Sequence, residues 1–189
     1  MHVRVVGMCG RIPQPRLVIT NWGFSITSWY YAHMREIVAV LADIRSVHNV
    51  GSIFRTADAS GIKKIYLCGI TPSPHDRFGK VREEFNKVAL GSERFVQWEY
   101  AKSITAVLNK LKHAGFLIAA VEQADGSVSF TSLRKNKHNI ALVMGNEVKG
   151  VSKRIVSKAD TVIEIPMKGG KESLNVSVAF GVVAYGIQY

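Results

Sequence analysis

Residues 176–187, VSVAFGVVAYGI, carry no charge and are apolar or small on almost every side. A helix of that composition has no polar face to give to water, so it must be covered by its own chain, by a partner subunit or by both. A β-branched run at 161–165 precedes it and is stopped by Pro166, and a loop bearing Gly169, Gly170 and Lys171 then leads into Ser173, Leu174 and Asn175. The order is strand, loop, helix. Ser173 is the expected N-cap. Asn175 is then a polar amide in the first turn, and because burying it unsatisfied is costly, something must hydrogen-bond it.

Upstream, short apolar runs alternate with polar loops and helical patterns. The run 36–42 (EIVAVLA) reads as a buried parallel strand, followed by a polar loop at 43–49. Val50, Ile53, Phe54 and Ala57 recur at helical spacing, Gly61 is the expected C-cap, and Asn49 either caps this helix or serves the site. A strand at 63–68 completes a βαβ unit with a right-handed crossover. After a long proline-bearing loop at 69–79 and a mixed-charge stretch to Glu93, strands are expected at 95–100, 116–121, 139–144 and 161–165. Helices are expected at 104–113 and 152–158. This is the pattern of an α/β fold with a mainly parallel sheet flanked by helices, in one domain at 34–189. Residues 1–33 stand apart, with three arginines, no acid, and prolines 13 and 15 that spoil an amphipathic transit helix. They read as a disordered or loosely docked extension, with Met34 as an alternative start.

Lys and Arg outnumber Asp and Glu by 25 to 14, a net charge of +11 with pI near 9.8. Such an excess points to a polyanionic partner, nucleic acid before membrane. Its densest run is 134–158, with seven Lys or Arg against Glu147 alone, and Arg77, Lys80 and Arg82 add to it in the long loop. Cys9 and Cys68 form no CxxC or Cys/His pattern, so neither a disulfide framework nor a zinc site is signalled and a reducing cytoplasm fits. No apolar segment is long enough to span a bilayer.

Three polar loops leave strand C-termini: 43–49 with Arg55 on the helix beyond, 145–150 (GNEVKG), and 166–175. In a parallel sheet these loops share one edge and can converge into a site. Gly169-Gly170-Lys171 lacks the leading glycine of a Walker A loop, no GxGxxG follows the first strand, and no GxSxG elbow supports a serine hydrolase. Taken singly, Asn49, Arg55, Glu147 and Ser173 each have a plain structural explanation as a cap, a surface charge or a neutraliser of lysines. Together at converging strand ends they describe a site.

The stretches NVGSIFRTADASGI (49–62), LVMGNEVKGVS (142–152) and IEIPMKGGKESLNVSVAFG (163–181) closely resemble, in order, motifs 1, 2 and 3 of the SpoU/TrmH branch of the SPOUT RNA methyltransferases. The resemblance covers 34–189. It implies a deep C-terminal trefoil knot, a rare exception to unknotted topology, and an S-adenosyl-L-methionine pocket lined by Gly145, Ile165, Met167 and Leu174. It places the family's functional polar residues on Asn49, Arg55, Glu147, Ser173 and Asn175, with no metal, and it implies a homodimer through the final helix. The implied reaction is methyl transfer to a ribose 2′-hydroxyl of RNA. A guanidinium stays protonated, so Arg55 is expected to bind the neighbouring phosphate bidentately and stabilise the developing alkoxide, with that phosphate or a water taking the proton. The 33 residues ahead leave no room for the RNA-binding domain that many family members carry, which favours tRNA over rRNA. The competing readings are an rRNA 2′-O-methyltransferase, a SPOUT enzyme methylating a base, and a non-catalytic RNA-binding protein.

Overall fold

Alternation along the strands decides which helices cover which face of the sheet. The computed structural model describes residues 35–188, so the expected extension at 1–33 and the alternative start lie outside the described residues. Strand β1 (Ile37–Ala42) is buried throughout, with Ile37, Ala39 and Leu41 in one core and Val38, Val40 and Ala42 in the other. β4 (Leu117–Val121) and β6 (Ile140–Met144) divide in the same way. Side chains two apart share a face, so a strand apolar at every position needs a layer on both sides. One layer holds α1 (Val47–Ser60), α2 (Glu83–Ala89) and α5 (Val176–Gly186). The other holds α3 (Ile104–His113) and the short α4 (Lys153–Val156).

With β2 (Lys64–Cys68), β3 (Gln97–Ala101), β5 (Val128–Ser129) and β7 (Thr161–Glu164), the described strands form one sheet in the order β3-β2-β1-β6-β4-β7-β5. Every pairing is parallel, so the chain adopts the expected α/β class. Parallel strands put their C-terminal ends on one edge, and the loops after β1, β6 and β7 gather there.

Two of the helices that lead out of these loops, α1 and α5, start elsewhere than expected. α1 begins at Val47 because Ser46 is its cap, its hydroxyl accepting the Asn49 N–H at 3.3 Å. Asn49 is therefore a first-turn residue whose side chain is free for other work. Gly61 does close the helix, at φ 75°, where a side chain would be strained. α5 is capped by Asn175, whose Oδ1 accepts the Ser177 N–H at 2.9 Å and the Ser177 hydroxyl at 2.7 Å. Ser173 is consequently a loop residue two positions outside the helix, and Asn175 is the cap, not a buried amide. Phe180, Val183 and Ala184 are fully buried, the phenylalanine ring contributing about 2–3 kcal/mol. Val178 and Val182 are 51% and 39% exposed, so the chain covers only one side of this apolar helix by itself.

The mixed-charge stretch contains α2, whose Phe85 meets Phe54 edge to face at 5.1 Å between centroids. β3 begins two residues later than expected and leaves Phe95 exposed. Cys68 is buried in β2, and desolvation pushes its thiol up to about 12, which removes it as a nucleophile. No described helix is long and apolar enough to cross a membrane.

Candidate active site

Three residues from three loops form one hydrogen-bonded chain. The Asn175 amide donates to Asn49 Oδ1 at 3.1 Å, and the Asn49 amide donates to Glu147 Oε1 at 3.0 Å. Its direction is fixed at both ends by main-chain donors. The Ser177 N–H occupies Asn175 Oδ1, leaving Asn175 only its NH2 to offer. At the other end, the Arg45 N–H donates to both Glu147 carboxylate oxygens (3.2 and 3.0 Å) and the Ser46 N–H to Oε1 (2.9 Å). The loops after β1, β6 and β7 are thus tied together through Glu147, Asn49 and Asn175.

Desolvation pushes the Glu147 carboxyl up, but the amides of Arg45, Ser46 and Glu147 itself and the Asn49 side chain together outweigh it and hold the carboxyl below its ordinary value. A depressed carboxyl stabilises the fold above the unfolded glutamate value of about 4.3, and that contribution is lost as pH falls through the lower folded value. Glu147→Gln keeps the shape and loses the charge and one acceptor. At pH 7 it is expected to cost about 1 kcal/mol, read as a lowered Tm by calorimetry, with the gap closing as the pH is taken below about 4.3. A gap that stays constant from neutral to acid pH would contradict this role.

Beside the chain lies a cavity of about 440 Å3 lined by Gly145, Glu147, Ser173, Leu174, Asn175 and Val176, with Val121, Glu122 and Met144 at its base. An adjoining recess of about 140 Å3 adds Ile165 and Met167 and shares Ser173 and Leu174. The four residues expected around a cofactor therefore line two confluent hollows. Gly145 is there of necessity, since a Cβ would collide with the main chain of Gly150 and Val151. The Ser173 hydroxyl has no hydrogen-bond partner among the described residues, and the residue lines both hollows.

Arg55 is not part of this set. It is exposed on α1, six residues and about 9 Å of helix rise beyond Asn49, and its guanidinium has no hydrogen-bond or ion-pair partner among the described residues. Two residues that the sequence did not single out matter. Glu122, at the end of β4, accepts the Val151 N–H at 2.5 Å and braces the 145–151 loop from outside. Asn146 donates to the Asp43 carbonyl at 2.8 Å and accepts the N–H groups of Val148 and Lys149. An isolated acid directly after the apolar run 116–121 was the available signal for Glu122. Of the basic residues, Arg134 is tied to the Gly186 carbonyl and Arg82 to the Ser73 carbonyl, while Lys135, Lys137, Lys149, Lys153 and Arg154 are exposed.

Residues 36–185 match the SpoU rRNA methylase family. The chain belongs to the SpoU methylase family. The SpoU chain is 34% identical over 154 residues to the tRNA (guanosine(18)-2′-O)-methyltransferase of Aquifex aeolicus, covering 82% of this chain and 69% of that one. The solved A. aeolicus TrmH/SpoU tRNA modifying enzyme matches its structure at TM-score 0.69 and 33% identity, over 82% of this chain and 75% of that chain. The AdoMet-bound rRNA methyltransferase of Sinorhizobium meliloti matches at TM-score 0.72 and 29% identity, over 81% and 56%. Against staphylococcal TrmH-family relatives the SpoU chain spans 57% of their length.

Proposed function

We propose that this SpoU chain is an S-adenosyl-L-methionine-dependent RNA methyltransferase that modifies a ribose 2′-hydroxyl, with tRNA as its substrate. The observation that carries the proposal is the coincidence of the family match with a cavity of about 440 Å3 at three tied loops, a size within the range of pockets that hold cofactor-sized ligands. The donor set fits the cofactor: Gly145 lets the main chain of Gly150 and Val151 close against it at the wall, the Ser173 hydroxyl has no partner among the described residues, and Leu174, Ile165 and Met167 supply apolar surface. When bound, S-adenosylmethionine supplies an electrophilic methyl on sulfonium sulfur. The chain's own residues hold the acceptor for it. Arg55 grips the phosphate next to the target ribose and stabilises negative charge developing on the 2′-oxygen. Glu147, Asn49 and Asn175 keep the three loops in register so that attacking oxygen and methyl are held in line. The tRNA assignment draws support from the tRNA-modifying Aquifex relative.

Two further features belong with this reading. The half-exposed face of α5, with Val178 and Val182 uncovered, is the surface through which two copies pair as a homodimer. The 145–151 and 166–175 segments form the C-terminal trefoil knot, a reading supported by the closeness of Gly145 to Gly150 and by the bond from the Gln123 amide to the Glu172 carbonyl at 2.9 Å. A reducing cytoplasm is the expected setting.

The test is to incubate the protein with methyl-labelled S-adenosylmethionine and, in parallel, tRNA or rRNA from cells lacking it, then digest the RNA to nucleosides. Label is expected in a 2′-O-methylated nucleoside, and binding is expected to weaken steeply with added salt as displaced counterions are restored. Label in a base, label in rRNA alone, or no transfer to any RNA overturns the assignment.

A further inference from the structure

The loop after β2 carries an aromatic side chain that the fold holds out into solvent. Residues 75–81 form a small antiparallel hairpin, His75 pairing with Val81, and its tip is built by Asp76. The Asp76 carboxylate accepts the N–H groups of Phe78 (2.8 Å) and Lys80 (2.9 Å), and main-chain bonds join Asp76 to Lys80 (2.8 Å) and Gly79 to Asp76 (3.0 Å). At its base, His75 stacks on Trp98 of β3 at 5.9 Å, and Arg82 is bonded to Pro74 and Ser73. Phe78 stands at the tip of this ordered turn and is 79% exposed. Burying such a ring would stabilise the fold, a gain that this position forgoes.

A single exposed apolar residue needs no explanation, but the surroundings of this one are specific. The Arg77 guanidinium lies over one face of the ring, 4.7 Å from its centroid, so the other face is open. Arg77 and Lys80 flank it with positive charge and both are exposed. The hairpin leaves the same sheet edge as the loops of the site, two strand spacings from β6, or about 10 Å. At the same strand ends a groove of about 530 Å3 is lined by residues that include Asp43, Arg45, Ile70, Val148 and Lys149. The Ile70 N–H donates to Asp43 at 3.1 Å, which ties the hairpin root to the loop that positions Asn49.

An aromatic face beside cations, on a preformed turn at the sheet edge that carries the site, is the chemistry that holds an unpaired nucleobase by stacking while its phosphates meet Arg or Lys. We propose that Phe78 is a stacking platform for an unstacked base of the RNA substrate, with Arg77 and Lys80 on the flanking phosphates. The rest of the strand then extends along this sheet edge towards Asn49 and Glu147. This rests on the RNA methyltransferase reading and adds to it a requirement for a single-stranded element in the substrate.

The experiment compares wild type with Phe78→Ala, Phe78→Leu and Phe78→Trp on two RNAs, an unmodified tRNA-sized stem-loop and a blunt duplex of equal length. Phe78→Ala and Phe78→Leu are expected to bind the stem-loop roughly tenfold more weakly, Phe78→Trp to bind it at least as well as wild type, and all four to bind the duplex alike. Tm and S-adenosylhomocysteine affinity should not move, since the side chain is exposed and lines neither cofactor hollow. If all four bind the stem-loop equally, or Phe78→Leu matches wild type, stacking is overturned while the methyltransferase reading stands. If wild type binds and methylates neither RNA, both fall. A change of mass in light scattering for Phe78→Ala, with RNA binding unchanged, assigns the ring to contact between copies and overturns the proposal.

Discussion

Gly145→Ala is expected to weaken cofactor binding by up to about a hundredfold and to leave the sheet intact. The added methyl would fall within contact distance of the Gly150 carbonyl carbon and the Val151 nitrogen, and main chain cannot swing aside as a side-chain tip can. The loop has nowhere to relax. Reciprocal bonds between Asn146 and Gly150 (3.0 and 2.9 Å) close it from within, and Glu122 holds Val151 from outside. Overpacking of this kind costs about 1–3 kcal/mol, and at its upper end this is roughly a hundredfold in affinity. Titration calorimetry with S-adenosylhomocysteine reads the loss, and circular dichroism checks the sheet. Gly169→Ala and Gly170→Ala are the controls, because a Cβ at either meets nothing within 4 Å. A Kd for Gly145→Ala equal to that of wild type would remove Gly145 from the cofactor wall.

What the sequence discloses and what it hides separate along physical lines. Runs such as IVAVLA and IALVM announce buried parallel strands because burial on both faces leaves no alternation to read. Val50, Ile53, Phe54 and Ala57 announce α1 because only a helix brings them to one face. Caps are less legible. Ser46 and Asn49, or Ser173 and Asn175, are equally good local acceptors, and the choice falls to wherever the chain turns into the helix. The consequence for the site is large: once Ser46 and Asn175 take the caps, Asn49 is released to bridge Asn175 and Glu147. α2 was signalled weakly, by Glu83 and Glu84 in its first turn and Lys87 in its last, over too few residues for periodicity to show. Composition identified α5 as a helix needing cover on every side, but only the fold shows that Val178 and Val182 are left without it.

Arg55→Lys retains the positive charge and is expected to lose a factor of about 100 or more in transfer rate, because an ammonium cannot reproduce the planar, two-pronged grip on phosphate and oxyanion. Cofactor affinity should be unchanged, for Arg55 lines neither hollow. The position of this residue makes a sharper demand. Within one chain it stands apart from the Glu147, Asn49 and Asn175 set. Its neighbour Thr56 packs against α5 at Gly181, 3.7 Å from where a Cβ would lie. Arg55 is thus next in sequence to a residue in contact with α5, and the homodimer proposed through the half-exposed face of that helix would allow Arg55 to serve the other copy's cavity. Mixing two inactive proteins decides it. An Arg55→Lys subunit keeps a sound cofactor wall, and a Gly145→Ala subunit keeps a sound arginine. Only a heterodimer in which Arg55 works across the interface assembles one complete site, and random pairing then restores about a quarter of wild-type activity. No recovery, with heterodimers confirmed by mass, places Arg55 in its own chain's site and requires the 43–55 segment to move on binding RNA. An active, monodisperse monomer in light scattering removes the interface altogether, and the exposed valines of α5 then need another partner.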